Sequence, residues 1–219
     1  MRPILVVSPH LDDAVLSCGQ LLAANPGSVV LTVFSFNVLK GYRLTSWDRL
    51  CGLKRVVDVP RLRRGEDAVA LAGLGCSPRH YYSDQHTDPG DLLWLISDAW
   101  RLVAQMHGNY PRTILIPMGM GHPDHDVVFR RALEAKARMP KHLRWIVYEE
   151  PVRRLIHTKE MKARIRKYKM RPIRLRVGAL ERKRQAVAAY ASQVVGLKKE
   201  WGEQFDTDVF APERYWRLP

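Results

Sequence analysis

The chain has 219 residues, of which 46% are hydrophobic and 26% charged, a composition that suits one packed domain and excludes a disordered or collagen-like chain. No apolar run approaches the roughly 18 residues that a membrane-spanning helix needs, and the N-terminal apolar run is too short for a signal peptide. The three cysteines form no C-x-x-C pair, so neither a disulfide framework nor a structural zinc ribbon is indicated. We therefore expect a single domain over residues 1–219 of a cytoplasmic protein.

Positive charge is concentrated in one part of the sequence. The formal net charge is +14, and residues 136–184 contain 18 basic and four acidic residues, so this segment carries all of it. A basic block on a neutral body favours an anionic partner such as a phosphate group, a nucleic acid or a membrane surface. A solvated surface that serves only solubility is the alternative.

The first elements form a strand, helix and strand. Residues 4–7 are an apolar run typical of a buried strand, and residues 12–22 continue with helical spacing. Residues 25–27 (Asn-Pro-Gly) end that helix, and the β-branched run at residues 29–34 predicts a second buried strand. A parallel sheet with a right-handed crossover is expected from this unit.

The alternation continues along the chain. Residues 37–59 lack periodicity and predict a long loop, whereas residues 153–176 resist assignment because they are polar and Pro172 interrupts a helix. We treat residues 151–178 as a basic excursion. Further strands are predicted at residues 81–82, 113–117 and 143–148, and further helices at residues 60–71, 91–106, 126–138 and 179–190. The predicted fold is α/β, a Rossmann-like three-layer α/β/α sandwich with a mainly parallel sheet.

Metal-binding side chains are dense in two turns that follow predicted strands. These are residues 9–13 (Pro-His-Leu-Asp-Asp) and residues 121–125 (Gly-His-Pro-Asp-His). Ligands bind at the carboxyl ends of parallel strands, where the fold would bring both turns together. Taken singly, each turn is more often a helix cap. Together they indicate a metal, because two histidines and a carboxylate are an established set for catalytic zinc.

At these residues the chain resembles a known family, the zinc-dependent N-acetylglucosaminyl deacetylases related to phosphatidylinositol-glycan deacetylase and the LmbE proteins. Their signature is a Pro-His-x-Asp-Asp turn and a later His-x-Asp-His turn. Residues 63–66 (Arg-Arg-Gly-Glu) and 192–193 (Ser-Gln) also agree, and the resemblance spans residues 3 to about 193. The chain departs from the commonest pattern at Leu11, often Pro, and Ala14, often Glu, neither of which supplies a ligand.

The resemblance implies one zinc ion per chain. His10, Asp13 and His125 would be its ligands, and Asp12 would be the general base that accepts a proton from the zinc-bound water. The chemistry favours the same division, because a carboxylate bound to zinc has lost its basicity whereas its neighbour has not.

Four further residues receive roles from the resemblance or from their position. A protonated His122 would stabilise the oxyanion, and Asp124 would orient or charge its ring; His122 could instead be a fourth ligand or a helix cap. Arg63 and Asp84 would contact the sugar or its aglycone.

The leading hypothesis is a zinc hydrolase that removes an N-acetyl group from an N-acetylglucosamine-type sugar in a lipid- or nucleotide-linked conjugate, at an anionic membrane surface or in the cytoplasm. A nucleic-acid-binding module is one alternative, but the sequence has no recognisable motif for it. A metal-dependent phosphoesterase is another, although two-metal phosphatases generally need more carboxylates. A dinucleotide-binding enzyme is the weakest, since no G-x-G-x-x-G follows the first strand.

Overall fold

The structure, a computed structural model, describes residues 2–35, 43–54, 59–81, 90, 92–154 and 156–219. The strands are β1 (Leu5–Ser8), β2 (Val29–Thr32), β3 (Ser77–His80), β4 (Thr113–Pro117), β5 (Arg144–Tyr148), β6 (Arg171–Ile173) and β7 (Tyr215–Arg217). The helices are α1 (Asp13–Ala24), α2 (Ser46–Leu50), α3 (Val59–Gly73), α4 (Leu92–His107), α5 (Pro123–Arg138), α6 (Pro151–Arg154), α7 (Thr158–Lys167), α8 (Leu180–Ala188), α9 (Ala191–Trp201) and α10 (Gln204–Val209).

The strands of the described ranges form one sheet in the order β3-β2-β1-β4-β5-β7-β6. The first five are parallel neighbours, whereas β7 runs antiparallel to both β5 and β6. All residues of β1, β2 and β4 are buried, as expected for continuous apolar strands that are covered on both faces. The strand order reverses between β1 and β4, so the turns that follow these two strands lie side by side.

Helices cover both faces of this sheet. On one face, Ile96 of α4 and Val128 of α5 pack with Leu5 and Ile116. On the other, Leu71 of α3 and Val187 of α8 pack with the alternate residues of the strands. The Rossmann-like three-layer fold with a mainly parallel sheet is therefore confirmed. Within the described ranges, no helix combines the length and the apolarity needed to cross a bilayer.

The basic excursion at residues 151–178 (the basic segment) differs from its prediction. Residues 171–173 form the edge strand β6, where Pro172 pairs in register with Trp216 of β7. An edge strand tolerates proline, because one side of it makes no ladder hydrogen bonds. The expectation that polarity excludes a strand here was wrong, since an exposed edge strand needs little apolar surface.

Two other elements also differ from expectation. The strand predicted at residues 81–82 is β3, which ends at His80, one residue before the predicted start; Tyr82 falls outside the described residues. Part of the predicted loop at residues 37–59 forms helix α2, whose N-terminus carries a capping box between Thr45 and Asp48.

Candidate active site

The turn after β1 is shaped by hydrogen bonds that involve Ser8 and Asp13. The Ser8 hydroxyl donates to the carbonyl of His10 and accepts the backbone N–H of Ala14, while Asp13 Oδ2 accepts the backbone N–H of His10. Asp12 stands at the N-cap position of α1, yet its side chain makes no capping hydrogen bond. Its side chain instead lines a cavity of about 530 Å³, so the cap alternative does not explain this residue.

The turn after β4 brings His122 and His125 to the same place. Gly119 and Gly121 have φ values of +75° and +68°, a left-handed conformation that glycine adopts without strain. His122 then caps α5, because its Nδ1 accepts the backbone N–H of Asp124 at 3.2 Å. One turn of helix later, the fully buried His125 points into the site.

The three predicted ligands form a compact triangle. His10 Nδ1 lies 3.2 Å from Asp13 Oδ2, Asp13 Oδ2 lies 3.3 Å from His125 Nε2, and His125 Nε2 lies 3.1 Å from His10 Nδ1. Ligand atoms of a four-coordinate zinc site are about 3.3–3.6 Å apart, given bond lengths of about 2.0–2.2 Å. These donor atoms therefore fit one small divalent cation.

A second grouping replaces Asp13 with His122. The ring nitrogens of His10, His122 and His125 lie within 4.8 Å of one another, which is a wider spacing than that of the triangle with Asp13. The tighter triangle makes His122 a candidate for a fourth position rather than a replacement for Asp13.

The site attracts positive charge. Burial alone would lower the pKa of His10, but its hydrogen bonds to Asp124 and Asp13 outweigh that effect and raise it to about 9. Burial alone would raise the pKa of Asp13, but His125 and His10 hold it well below its usual range. Carboxylates that favour a protonated imidazole also favour a metal cation in place of the proton.

The pKa values of Asp12 and His122 are shifted in opposite directions. Burial, followed by the charge of Asp13, raises the pKa of Asp12 to about 7. Burial, followed by His10 and His125, lowers the pKa of His122 to about 4. A lowered pKa favours the neutral form of His122 at pH 7, whereas the resemblance implied a protonated ring. Because its Nδ1 accepts a hydrogen bond, the ring proton belongs on Nε2.

Asp124 contacts a different histidine from the one expected. Its Oδ2 lies 2.9 Å from His10 Nε2 and 3.9 Å from His122 Nδ1. The distance to His122 is long because that nitrogen faces the backbone N–H of the cap. The closer contact of Asp124 is therefore with His10, and its predicted role of orienting or charging the His122 ring stays a prediction.

Glu150 is a residue that the sequence analysis missed. It follows β5, and its Oε1 lies 2.5 Å from His125 Nδ1 while its Oε2 accepts the backbone N–H of Gly119. Asp124 on His10 and Glu150 on His125 thus fix the outer nitrogen of each ring, which leaves His10 Nδ1 and His125 Nε2 to bind a metal. The position of Glu150 at a strand end was the available signal.

The two predicted substrate-binding residues have different outcomes. Arg63 lines the cavity, but it is only 2% exposed and its guanidinium lies 2.7 Å from Asp48 Oδ1. Its first contact is therefore a buried ion pair, and direct contact with a sugar stays a prediction. Asp84 lies outside the described residues. Nearby, Glu66 accepts the N–H and the hydroxyl of Ser192, which ties together the two short motifs at residues 63–66 and 192–193.

These residues open into one cavity of about 530 Å³, a size typical of small-molecule sites. Residues of both metal-binding turns line it. The remaining lining residues are Leu16, Ser17, Thr45, Ser46, Trp47, Pro151, Arg153, His157, Gln193, Leu197, Glu200 and Trp201.

A pocket lined by potential metal ligands thus lies at the switch point of a doubly wound sheet. Residues 5–136 match the model of the PIG-L family, described as GlcNAc-PI de-N-acetylase. The match covers more than half of the chain, so the chain belongs to this family. It includes both metal-binding turns and ends before Glu150. A comparison with curated proteins gave no match.

Solved structures share the fold over nearly the whole chain. A triple mutant of a deacetylase from teicoplanin biosynthesis (Orf2*T) is 27% identical with a TM-score of 0.72, covering 99% of this chain and 98% of that chain. The zinc-inhibited form of teicoplanin deacetylase Orf2 is 23% identical with a TM-score of 0.68, covering 99% and 98%. The 4-carboxy-2-hydroxymuconate hydratase GalB from Pseudomonas putida KT2440 is 18% identical with a TM-score of 0.59, covering 99% and 95%. The last two likenesses concern the fold alone, and GalB illustrates that this fold is not restricted to deacetylation.

Proposed function

We propose that this protein is a zinc-dependent hydrolase that removes the N-acetyl group from an N-acetylglucosamine-type amino sugar. The observation that carries the proposal is the triangle of His10, Asp13 and His125 beside Asp12, a buried carboxyl group with a pKa near 7. Membership of the GlcNAc-PI de-N-acetylase family supports the same reaction class.

Each residue of the site has a separate task. His10, Asp13 and His125 hold the metal, which when bound would acidify water and polarise a carbonyl group. Asp12 accepts the proton of the attacking water, because its carboxylate lines the cavity and is not used as a helix cap. The same carboxyl group then passes the proton to the departing nitrogen, so that acetate and a free amine result.

His122 acts as a neutral hydrogen-bond donor. Because its Nδ1 accepts a hydrogen bond from the backbone, Nε2 carries the proton. This N–H can donate a hydrogen bond to the acetamide oxygen as negative charge develops there. A positive charge on the ring is not needed for this, and a neighbouring metal would oppose one.

The substrate is an amino sugar within a larger, anionic conjugate, linked to a lipid or a nucleotide. The cavity has room for a group beyond the sugar, and Arg153 of the basic segment lines it. Attachment to an anionic membrane surface, a cytoplasmic location and the absence of nucleic-acid binding stay predictions.

The experiment combines metal analysis with acetate release. Purified protein should contain one zinc ion per chain and should release acetate from at least one of a panel of N-acetylglucosaminides. Zinc is added stepwise, since a relative is known in a zinc-inhibited form. His125→Ala should strip the metal; full zinc occupancy in that variant, or no acetate from any substrate, would contradict the proposal.

A further inference from the structure

The cavity also has an apolar part to its lining, which we call the apolar wall. Trp47 of α2 and Leu197 and Trp201 of α9 form this wall, and they share one continuous cavity with His10 and Asp13. Glu200 of α9 also lines the cavity, and this charged residue is exposed. The reaction centre needs none of the apolar side chains, so their presence there calls for a separate account.

The indole of Trp47 is fixed in place. Its Nε1 donates to Gln193 Oε1 at 2.9 Å, and its six-membered ring packs on Gly196. A Cβ atom at residue 196 would lie 3.2 Å from ring carbons Cζ2 and Cη2 and only 2.5 Å from Cys51 Sγ. Glycine at this position therefore lets the indole lie directly on α9.

Two contacts of Asp48 hold helix α2, which carries Trp47, in place. Asp48 closes a capping box with Thr45 and forms the buried ion pair with Arg63 of α3. A five-residue helix is not stable on its own, so these contacts set its position. Arg63 thus acts on the cavity through Asp48, by fixing the helix that presents Trp47.

We infer that Trp47, Leu197 and Trp201 form a subsite for an apolar aglycone, preferably an aromatic one, attached to the amino sugar. The inference rests on the proposed function, which places the sugar at the metal-binding turns. A fixed indole offers a large apolar face without an ordering cost on binding. An aryl group carried by the sugar would extend along the same cavity to this face.

The test measures binding rather than turnover. Dissociation constants of phenyl β-glucosaminide and methyl β-glucosaminide, both deacetylated products, are measured by calorimetry on metal-loaded protein. The wild-type protein should bind the phenyl glycoside roughly tenfold more tightly, as expected for one well-packed aromatic contact. Trp47→Ala should bring the two constants within about twofold by weakening the phenyl glycoside alone.

Two further variants make the result specific. Trp94→Ala removes an exposed tryptophan of α4 that does not line the cavity, and it should keep the wild-type preference. Gly196→Ala keeps Trp47 but places a Cβ atom 2.5 Å from Cys51 Sγ and 3.2 Å from the indole, so both groups must shift and the preference should fall. This variant serves as the test if Trp47→Ala does not fold.

The outcomes separate the subsite from the reaction. Equal affinity for both glycosides in the wild-type protein, or an aryl preference that survives both Trp47→Ala and Gly196→Ala, overturns the subsite. An aryl preference without acetate release from any substrate overturns the proposed reaction and leaves the subsite standing. A protein that binds neither glycoside overturns the subsite, whereas the reaction is decided by acetate release alone.

Discussion

A carboxyl group that is buried beside another carboxylate ionises only near neutral pH, and Asp12 is such a group. Its pKa of about 7 arises from burial and from Asp13, which His125 and His10 keep ionised. The surroundings of this turn thus shift the pKa values of its two adjacent aspartates in opposite directions. A pair separated in this way is typical of acid–base catalysis.

Replacing Asp12 tests this division. Asp12→Asn should retain the metal, because the three ligands are unchanged, and should lower kcat/KM by about 10²–10⁴, because an amide cannot accept the proton of water. Metal content and acetate release are measured on the same preparation. Asp13→Asn is the matched variant and should lose the metal itself. Near-normal turnover in Asp12→Asn would remove Asp12 from the mechanism.

Glu150 is expected to control metal affinity through His125. Glu150→Gln keeps the size of the side chain but removes the charge beside His125 Nδ1, so the imidazole becomes a poorer ligand. Competition with a chelator should show a metal affinity about 10–100-fold lower. Glu149→Gln is the control, since Glu149 is also buried but accepts from Trp216 instead. Equal losses in both variants would refute a specific role for Glu150.

At the scale of elements, helix α1 is interrupted immediately behind the site. Cys18 leaves the helical conformation, with φ at −129°, and the Glu213 carboxylate accepts the backbone N–H groups of Gln20 and Leu21. Lys183 completes the arrangement with a fully buried ion pair to Glu213 at 3.0 Å. The C-terminal segment thereby fixes the helix that begins with Asp13.

Breaking this ion pair should destabilise the fold. Glu213→Gln leaves the Lys183 ammonium buried without its counter-charge, which costs about 3–5 kcal/mol in the free energy of unfolding. Urea unfolding measures the change. Glu134→Gln removes a partner of an exposed pair on α5 and should cost less than about 1 kcal/mol. Equal stability of both variants would show that the buried pair contributes no more than the exposed one. Adding Lys183→Met to Glu213→Gln should recover part of the lost free energy of unfolding, because the unpaired buried charge is then removed.

At the scale of the whole molecule, the basic segment divides into two groups. Arg164 donates to the carbonyls of Met118 and Gly119 and pairs with Asp126, and Arg153 donates to the carbonyl of Gly121. These two arginines support the turn that leads to His122. The second group is exposed and includes Lys162, Arg166, Lys167 and Lys169.

The exposed group should act on substrate capture alone. Replacing these four residues with Gln should raise KM for an anionic conjugate by about tenfold and flatten its dependence on salt, because long-range attraction is lost. kcat for a small neutral acetamido sugar should stay unchanged. Steady-state kinetics at two or more ionic strengths measure both effects. Unchanged KM and salt response for the anionic substrate would show that this charge serves another purpose.

The sequence by itself determined strands β1, β2, β4 and β5 and the chemistry that follows β1 and β4. The apolar run at residues 113–117 coincides with β4, because a strand covered on both faces must be apolar throughout. The metal-binding turns were recognisable for a similar reason: imidazole and carboxylate groups at successive strand ends have a local signature. The parallel order of the sheet then follows from the alternation of strands and helices.

Only the tertiary structure decided which groups touch. That Asp124 binds His10, that Glu150 binds His125 and that Arg63 pairs with Asp48 depends on residues up to 114 positions apart in the chain. Helix α2 and strand β6 are likewise set by such contacts, since neither has enough apolar periodicity to predict it. Local patterns specify what a segment can form, whereas hydrogen-bond partners and buried ion pairs are chosen by packing between segments distant in sequence.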